Sequence, residues 1–529
     1  MNRNRVRRGI AVGFGVGVLA LSLAVVGARS ESGAKNGGSL TIGLAEDPDA
    51  LDPTLARTFV GRIVFMHMCE KLYDLNSKLE IVPQLAAALP TISADKQTVT
   101  IKLRKGIQFN DGTPFDADAV KKSLDRHRTL PRSTRASELS PVTSVDTAGA
   151  STIVIHLNDR YSPLTAQLAD RSGMIMSPKQ LDALGDKFAT NPICVGPFMF
   201  KDRQAGDHIT LVKSPYYYAK NKVHLDQITF KILTDPSARA QNLRSHDIDV
   251  MDRIPSTELP GIAHDSSLAV LKSTSIGYQG ITVNIGNSHG LGKTYENTGT
   301  PIAKSPDLRQ AFELALDRKV INKVVFGGTT QPDCFAFTPA SPYYAATKGI
   351  PCHLTADVKG AKAAFARSGA AQGVTVHMVI GTDPVAARLG QVIQSMEKPI
   401  GINVVLDPTE FVTALRQADA GKYETFAVGW SGRVDPDGNL YQFVQTKGSQ
   451  NDSGYSDPLV DFTLNNARHA ATQQSRIVSY RVALKRIAKD LPLIYLYHPI
   501  NRFGVVKTVG GVEIYGDGLI RAQYSGFKK

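Results

Sequence analysis

Apolar and polar positions alternate through "SLTIGL" at residues 39 to 44, where Leu40, Ile42 and Leu44 predict a strand before the acidic, Pro-containing loop "AEDPDALDPTLA". Residues 61 to 74 carry apolar positions at helical spacing. The block "QTVTIKLRKGIQFNDGTPFDADAVKKSLDRH" predicts two short strands, a tight turn at Asp111-Gly112 and a helix opening near Asp116. Further strands are predicted at "STIVIHLN", "HITLVKS" and "VHLDQITFKIL", and a helix over 235 to 251. From about residue 278 the texture changes. The strands "GYQGITVNI", "VTVHMVI", "INVVLDP" and "TFAVGW" are interspersed with helical "SPDLRQAFELALDRKVINKVVF", "VAARLGQVIQSMEKP" and "EFVTALRQADAG", which argues an α/β domain. A helix over about 457 to 490 then leads into the apolar "LPLIYLYHP".

At 529 residues, 42% hydrophobic and 21% charged, the chain is too long for one core, so two or three domains are expected. Arg3, Arg5, Arg7 and Arg8 precede an uncharged apolar run over 9 to 28 ending in Val26-Gly27-Ala28, the layout of an export signal. Residues 1–28 are therefore a signal peptide or an uncleaved N-terminal anchor, and 29–38 a small polar linker. No cysteine follows the run to carry a lipid, so the protein is exported to the periplasm or cell surface, held there by the apolar segment where that is not cleaved. Without those four arginines the formal charge of +13 drops to +9, with the remaining Lys and Arg dispersed; this argues against a nucleic-acid partner.

The cysteine count is even, as suits an oxidising compartment. Cys334 and Cys352 bracket a Pro-rich loop and are expected to pair. Cys69 and Cys194 are the pair left over, as a disulfide or as two buried thiols.

No catalytic constellation emerges. The His residues show no HExxH and no i, i+4 pair, and "FGG" at 326 to 328 lacks the Lys-Thr of a phosphate loop. Ser431 lies between glycines in "GWSGR", but no Gly-x-Ser-x-Gly elbow is present and Pro436 follows closely. Asp47, Asp49 and Asp52 cluster in one loop, which a solvated turn explains.

Ordered landmarks span residues ~40 to ~525: "LDPTLA", "PQLAAALPTISADKQTVTIKLRKGIQFNDGTPFDADAVKKSL", "VGPF", "KSPYYYAKNKVHLDQITFKILTDPSARAQNLRSHDIDV", "LRQAFELALDRKVI", "GWSGRVDPDGN", "GYSDPLVDFTLNNA" and "LPLIYLY". In these the chain resembles the extracytoplasmic solute-binding proteins of ABC importers, in the family that takes up di- and oligopeptides, nickel complexes and some saccharides. The resemblance implies an α/β, two-lobed periplasmic-binding-protein fold of type II, the large cluster C form, with a subdomain inserted in the first lobe. Lobe I is assigned to 39–282 plus 498–529, the insertion to about 71–195, and lobe II to 283–497. It implies a non-enzymatic monomer that needs no cofactor or metal, captures a peptide or peptide-like solute, and delivers it to membrane permease subunits driven by cytoplasmic ATPases. Rival readings are capture of an anionic non-peptide solute, a ligand sensor, and an exported hydrolase.

The resemblance also marks the site. The sole tryptophan, Trp430, and its neighbours Ser431 and Gly432 form a turn expected at the cleft. Peptide-binding relatives place an acid three residues after that tryptophan to grip the ligand's ammonium; here the position is Arg433, which favours an anionic group. Asp435 is the alternative holder of an amine. Asp47 and Ala50 lie in the loop that faces the cleft in relatives, Tyr278 and Asn284 border the first crossing between lobes, and Arg388 is a candidate carboxylate partner.

Overall fold

The computed structural model describes residues 34–528; the segment expected to be a signal or anchor and the start of the expected linker lie outside the described residues. No helix among the described residues is long and apolar enough to cross a membrane.

The first strand, Ser39–Leu44, forms as its alternation predicts and sits inside a seven-stranded sheet, parallel to Gln227–Ile232 and Val250–Met251. Leu40, Ile42 and Leu44 are fully buried there. The sheet ends on one side with Leu268–Thr274 against Ile500–Val506, so the C-terminal segment returns to complete the first lobe.

A second core occupies residues 72 to 195, around Val99, Ile101, Phe109, Val120, Leu124, Ile153 and Ile155. Its four-stranded sheet (Thr91–Ile92, Thr98–Lys102, Thr152–Leu157, Val142–Thr147) packs with the helix Ala117–Thr129, whose N-cap is Asp116. Cys69 and Cys194 form a disulfide at the neck of this unit, with Cα atoms 4.9 Å apart across 125 residues of sequence, and Glu70 N–H donates to Val195 O beside it. Cys334 and Cys352 are also bonded, closing the Pro-rich loop.

The second lobe is built on a six-stranded sheet ordered Gln331–Pro332, Leu493–His498, Tyr278–Val283, Thr425–Trp430, Val374–Ile380, Ile402–Pro408. Sheet membership changes between Thr274 and Tyr278 and again between His498 and Ile500. The boundary expected after residue 282 therefore falls inside a strand that belongs wholly to the second sheet. The two crossings are tied together: the buried His498 donates through Nδ1 to Gly277 O at 2.6 Å.

Four helix predictions shift for local reasons. The helix expected over 235 to 251 ends at Arg244, because Val250–Met251 pairs as a strand in the first sheet. The helix expected over 61 to 74 runs Phe59–Met68, because Cys69 turns extended into the disulfide and Tyr73–Leu75 pairs as a strand with Ile81–Pro83. The single helix expected over 305 to 326 is two, Pro306–Ala315 and Arg318–Phe326, because Leu316 is extended and the Asp317 side chain caps the second. The helix near 457 to 490 likewise splits into Pro458–His469 and Gln473–Asp490, the latter opened by a capping box at Thr472 and Ser475.

Glu70, at the disulfide neck, is 4% exposed and accepts hydrogen bonds from the Tyr217 and Tyr218 hydroxyls at 2.6 and 3.0 Å. Burial outweighs these bonds and pushes its pKa up from 4.5 to about 7. Between those two values the folded state holds a proton that the unfolded chain has released, so stability falls as pH rises through that window. Glu70→Gln, which keeps the shape without the charge, is expected to flatten that fall and raise stability at pH 8 by roughly 1–3 kcal/mol, read from urea unfolding at pH 5 and pH 8. An unchanged pH dependence would mean that Glu70 ionises as freely as in water.

Candidate functional site between the lobes

A cavity of about 290 Å³ lies between the lobes. The first lobe supplies Glu46, Arg57, Thr58, Phe59, Arg253, Asn501 and Asp517, and the second Tyr278, Asp383, Phe411, Leu415, Phe426, Trp430, Ser431 and Phe443. The first-lobe side is thus mostly polar and charged, and the second-lobe side mostly aromatic and aliphatic with Asp383 and Asp452 among its lining.

The tryptophan turn is placed by the sheet and pinned by one side chain. Tyr278 and Trp430 are paired across antiparallel strands, which brings both rings to the cavity. Asn439 accepts from Trp430 Nε1 at 3.1 Å and from Arg433 N–H at 2.6 Å, and donates to Arg433 O at 2.9 Å. The turn lies backbone to backbone on the first crossing. A Cβ on Gly277 would stand 2.0 Å from Trp430 O, and one on Gly432, whose φ is +85°, would stand 2.3 Å from the Ile276 carbonyl carbon. Trp430 is 7% exposed and meets the Phe443 ring edge-on at 4.9 Å, so it is both core and wall.

The charged wall is internally paired. Arg57, following a loop tied by Asp49 to the backbone of Arg57 and Thr58, reaches across the cleft to Asp452 at 2.8 Å and to Asp419. Burial opposes its charge, but the two carboxylates more than compensate and raise its pKa. Arg253 pairs with Glu46 at 2.9 Å and Asp252 at 3.2 Å from a left-handed backbone at φ +48°, a strained conformation for a non-glycine residue. Asp517 holds Arg521 through both oxygens at 2.8 and 2.7 Å. Asp383 differs: it caps the helix Pro384–Glu397, and among the described residues no cation pairs with it.

Of the residues expected at the site, Trp430, Ser431 and Tyr278 line the cavity, and Gly432, Arg433, Asp435, Asp47, Ala50, Asn284 and Arg388 do not. Arg433 is 7% exposed, with its guanidinium 4.3 Å from the Trp430 ring centroid and its Nε 2.9 Å from Asp170 of the inserted subdomain. Burial, and then Arg62, push its pKa down to about 9. Asp435 is held by both terminal nitrogens of Arg476, at 2.6 and 2.7 Å, leaving no free carboxylate for an amine. Asp47 pairs with Arg203, and Ala50 packs on the first lobe's core. Asn284 is buried and donates to the carbonyls of Asn287, Gly421 and Tyr423. Arg388 is exposed on its helix. Arg57, Arg253 and Asp383 were missed; no local motif marks them, since chain segments far apart bring them together.

A family model described as bacterial extracellular solute-binding proteins, family 5, middle region, matches residues 80–451. The chain belongs to this family. It is similar to protein XP55 of Streptomyces lividans, 26% identical over 511 residues that cover 92% of this chain and 88% of that protein. The glutathione-binding protein GsiB of Pectobacterium atrosepticum is 25% identical over 459 residues, covering 84% and 86%. The periplasmic binding protein DppA of Helicobacter pylori, solved with the peptide STSA, superposes with a TM-score of 0.84 at 24% identity, covering 94% of this chain and 99% of that one. As a family 5 member the chain is a non-enzymatic, two-lobed solute-binding protein of an ABC importer.

In this solute-binding protein the contact of the turn with the crossing is testable. Gly277→Ala is expected to lower the melting temperature and to shift Trp430 emission to the red as the displaced ring meets water. Loss of stability with unchanged emission would show that the turn is seated independently of the crossing.

Proposed function

We propose that this protein captures a small peptide-like solute, without a free α-ammonium at the Trp430 turn, and passes it to permease subunits powered by cytoplasmic ATPases. The observation that carries the reading is the cavity itself: a space of about 290 Å³ between the lobes, aromatic on one side and at the small end of the ~300–1,000 Å³ range of ligand pockets. That size suits a solute of a few residues. The relatives named for glutathione and for a bound peptide support the same class.

The absence of an ammonium clamp follows from the side chains beside the tryptophan. Arg433 stands where an acid would be needed, and Asp435 and Asp437 are each occupied through both oxygens by Arg476 and Arg468. Desolvating an ammonium against a guanidinium is unfavourable by several kcal/mol at close range. Closure requires only that the solute bind the closed form more tightly than the open one. The protein acts as a monomer outside the cytoplasm, exported by its N-terminal segment.

Native mass spectrometry of the gently purified mature protein, followed by denaturing extraction, identifies what it carries. An amine-blocked, amine-modified or anionic peptide-like solute is the expected result. A free-amine peptide in the extract would overturn the statement about the ammonium, and reproducible absence of any solute at any purification scale would count against small-solute capture.

A further inference from the structure

Behind the Ser431 wall lies a buried charge cluster that solute capture, as described, leaves unused. It comprises Arg62 (3% exposed), Arg135 and Arg171 (both 0%) and Arg433 (7%), against only two carboxylates, Asp170 (5%) and Glu138 (3%). Three guanidiniums converge on Asp170: Arg62 Nη2 at 2.6 Å, Arg433 Nε at 2.9 Å and Arg171 Nε at 3.7 Å. Arg135 takes Glu138 at 2.6 Å, and Ser172 donates to the other Glu138 oxygen. Arg62 Nη1 also donates to Ser431 Oγ at 3.0 Å, so the cluster adjoins the cavity wall.

The cluster is short of acceptors as well as of negative charge. Arg62 Nε, Arg171 Nε and Nη2, and Arg433 Nε and Nη2 are buried without a hydrogen-bond acceptor; the Arg433 Nε contact with Asp170 has ion-pair distance but not hydrogen-bond alignment. Neighbouring pairs do not make up the deficit, because Arg468 with Asp437, Arg521 with Asp517 and Lys71 with Asp74 are each balanced internally. Buried guanidinium groups in excess of carboxylates are strongly unfavourable, and a carboxylate is the partner whose two oxygens match their planar donors.

We infer that a small anion of carboxylate type is bound among Arg62, Arg171 and Arg433. Arg62 and Arg171 belong to the first lobe and its insertion, and Arg433 to the second. Parting of the lobes admits the anion, and its capture favours the closed form. The anion is either a free one from solution or the carboxylate of the solute reaching past Ser431; the second case rests on the peptide-like reading above.

Trp430, the one tryptophan, reports on the site directly because the Arg433 guanidinium lies over its ring. Solute-stripped protein is titrated with sodium acetate and with sodium chloride at constant ionic strength, balanced by the bulkier isethionate. Trp430 emission is expected to change saturably with acetate. The apparent Kd should be at least tenfold weaker in Arg433→Met and tighter in Asp170→Asn, where the cluster has lost a competing carboxylate; circular dichroism verifies that both variants fold. A linear response, or the same affinity in all three proteins, would overturn the site. If the co-purified solute then displaces acetate, the natural anion is the solute's own carboxylate, and if both bind together it is a free anion. Saturation by acetate alongside release of a free-amine peptide would leave the site standing while removing the solute class proposed above; no saturation alongside an amine-blocked solute would do the reverse.

Discussion

The contact on which the rest depends is backbone against backbone: the Trp430–Gly432 turn lies on Ile276–Gly277, the first crossing between lobes, with no room for a Cβ at either glycine. Because Tyr278 is paired with Trp430 in the adjoining strands, the segment that joins the lobes and the ring that walls the cavity form one packed unit. The second crossing joins the same unit through His498 and Gly277. A rotation of one lobe against the other therefore moves relative to the tryptophan wall, and does so without requiring a change inside either sheet.

Charge does different work on the two sides of the cavity. Arg57 reaches from the first lobe to Asp419 and Asp452 of the second, and Arg468 donates to Ser137 O and Ser140 of the inserted subdomain, so polar contacts join the lobes at two separate places. Asp170 of the inserted subdomain makes a further contact between the lobes, with Arg433. Burial alone would raise its pKa, yet Arg433 and Arg62 hold it well below the usual carboxylate range. Burial, reinforced by Arg62, pushes Arg433 down, whereas Arg57 has Asp452 and Asp419 to outweigh its burial and is pushed up. Two arginines of one cleft thus differ in character because of how many acids each one shares.

Much of the scaffold was legible along the chain, and the site was only partly so. The strand of Leu40, Ile42 and Leu44, the α/β texture after residue 278 and the Cys334–Cys352 loop are local patterns, and local patterns predicted them. Helix ends were less legible, because Asp317 and Thr472 act as caps only once Leu316 and Ala470 have left helical conformation. Trp430 stood out by its rarity. Arg433 was noticed for its charge, but its partner Asp170 lies 263 residues earlier, in the inserted subdomain, and nothing short of the fold reveals that the pair is internal. Arg57, Arg253 and Asp383 reach the cavity by the same long-range assembly.

Small-angle X-ray scattering of the mature protein, first stripped of solute by unfolding and refolding and then reloaded with the extract it had carried, tests closure around a solute most directly. The account predicts a larger radius of gyration when stripped and a return to the compact value on reloading. Identical scattering in both states would contradict it, since the lobes would then be closed whether or not the cavity is filled.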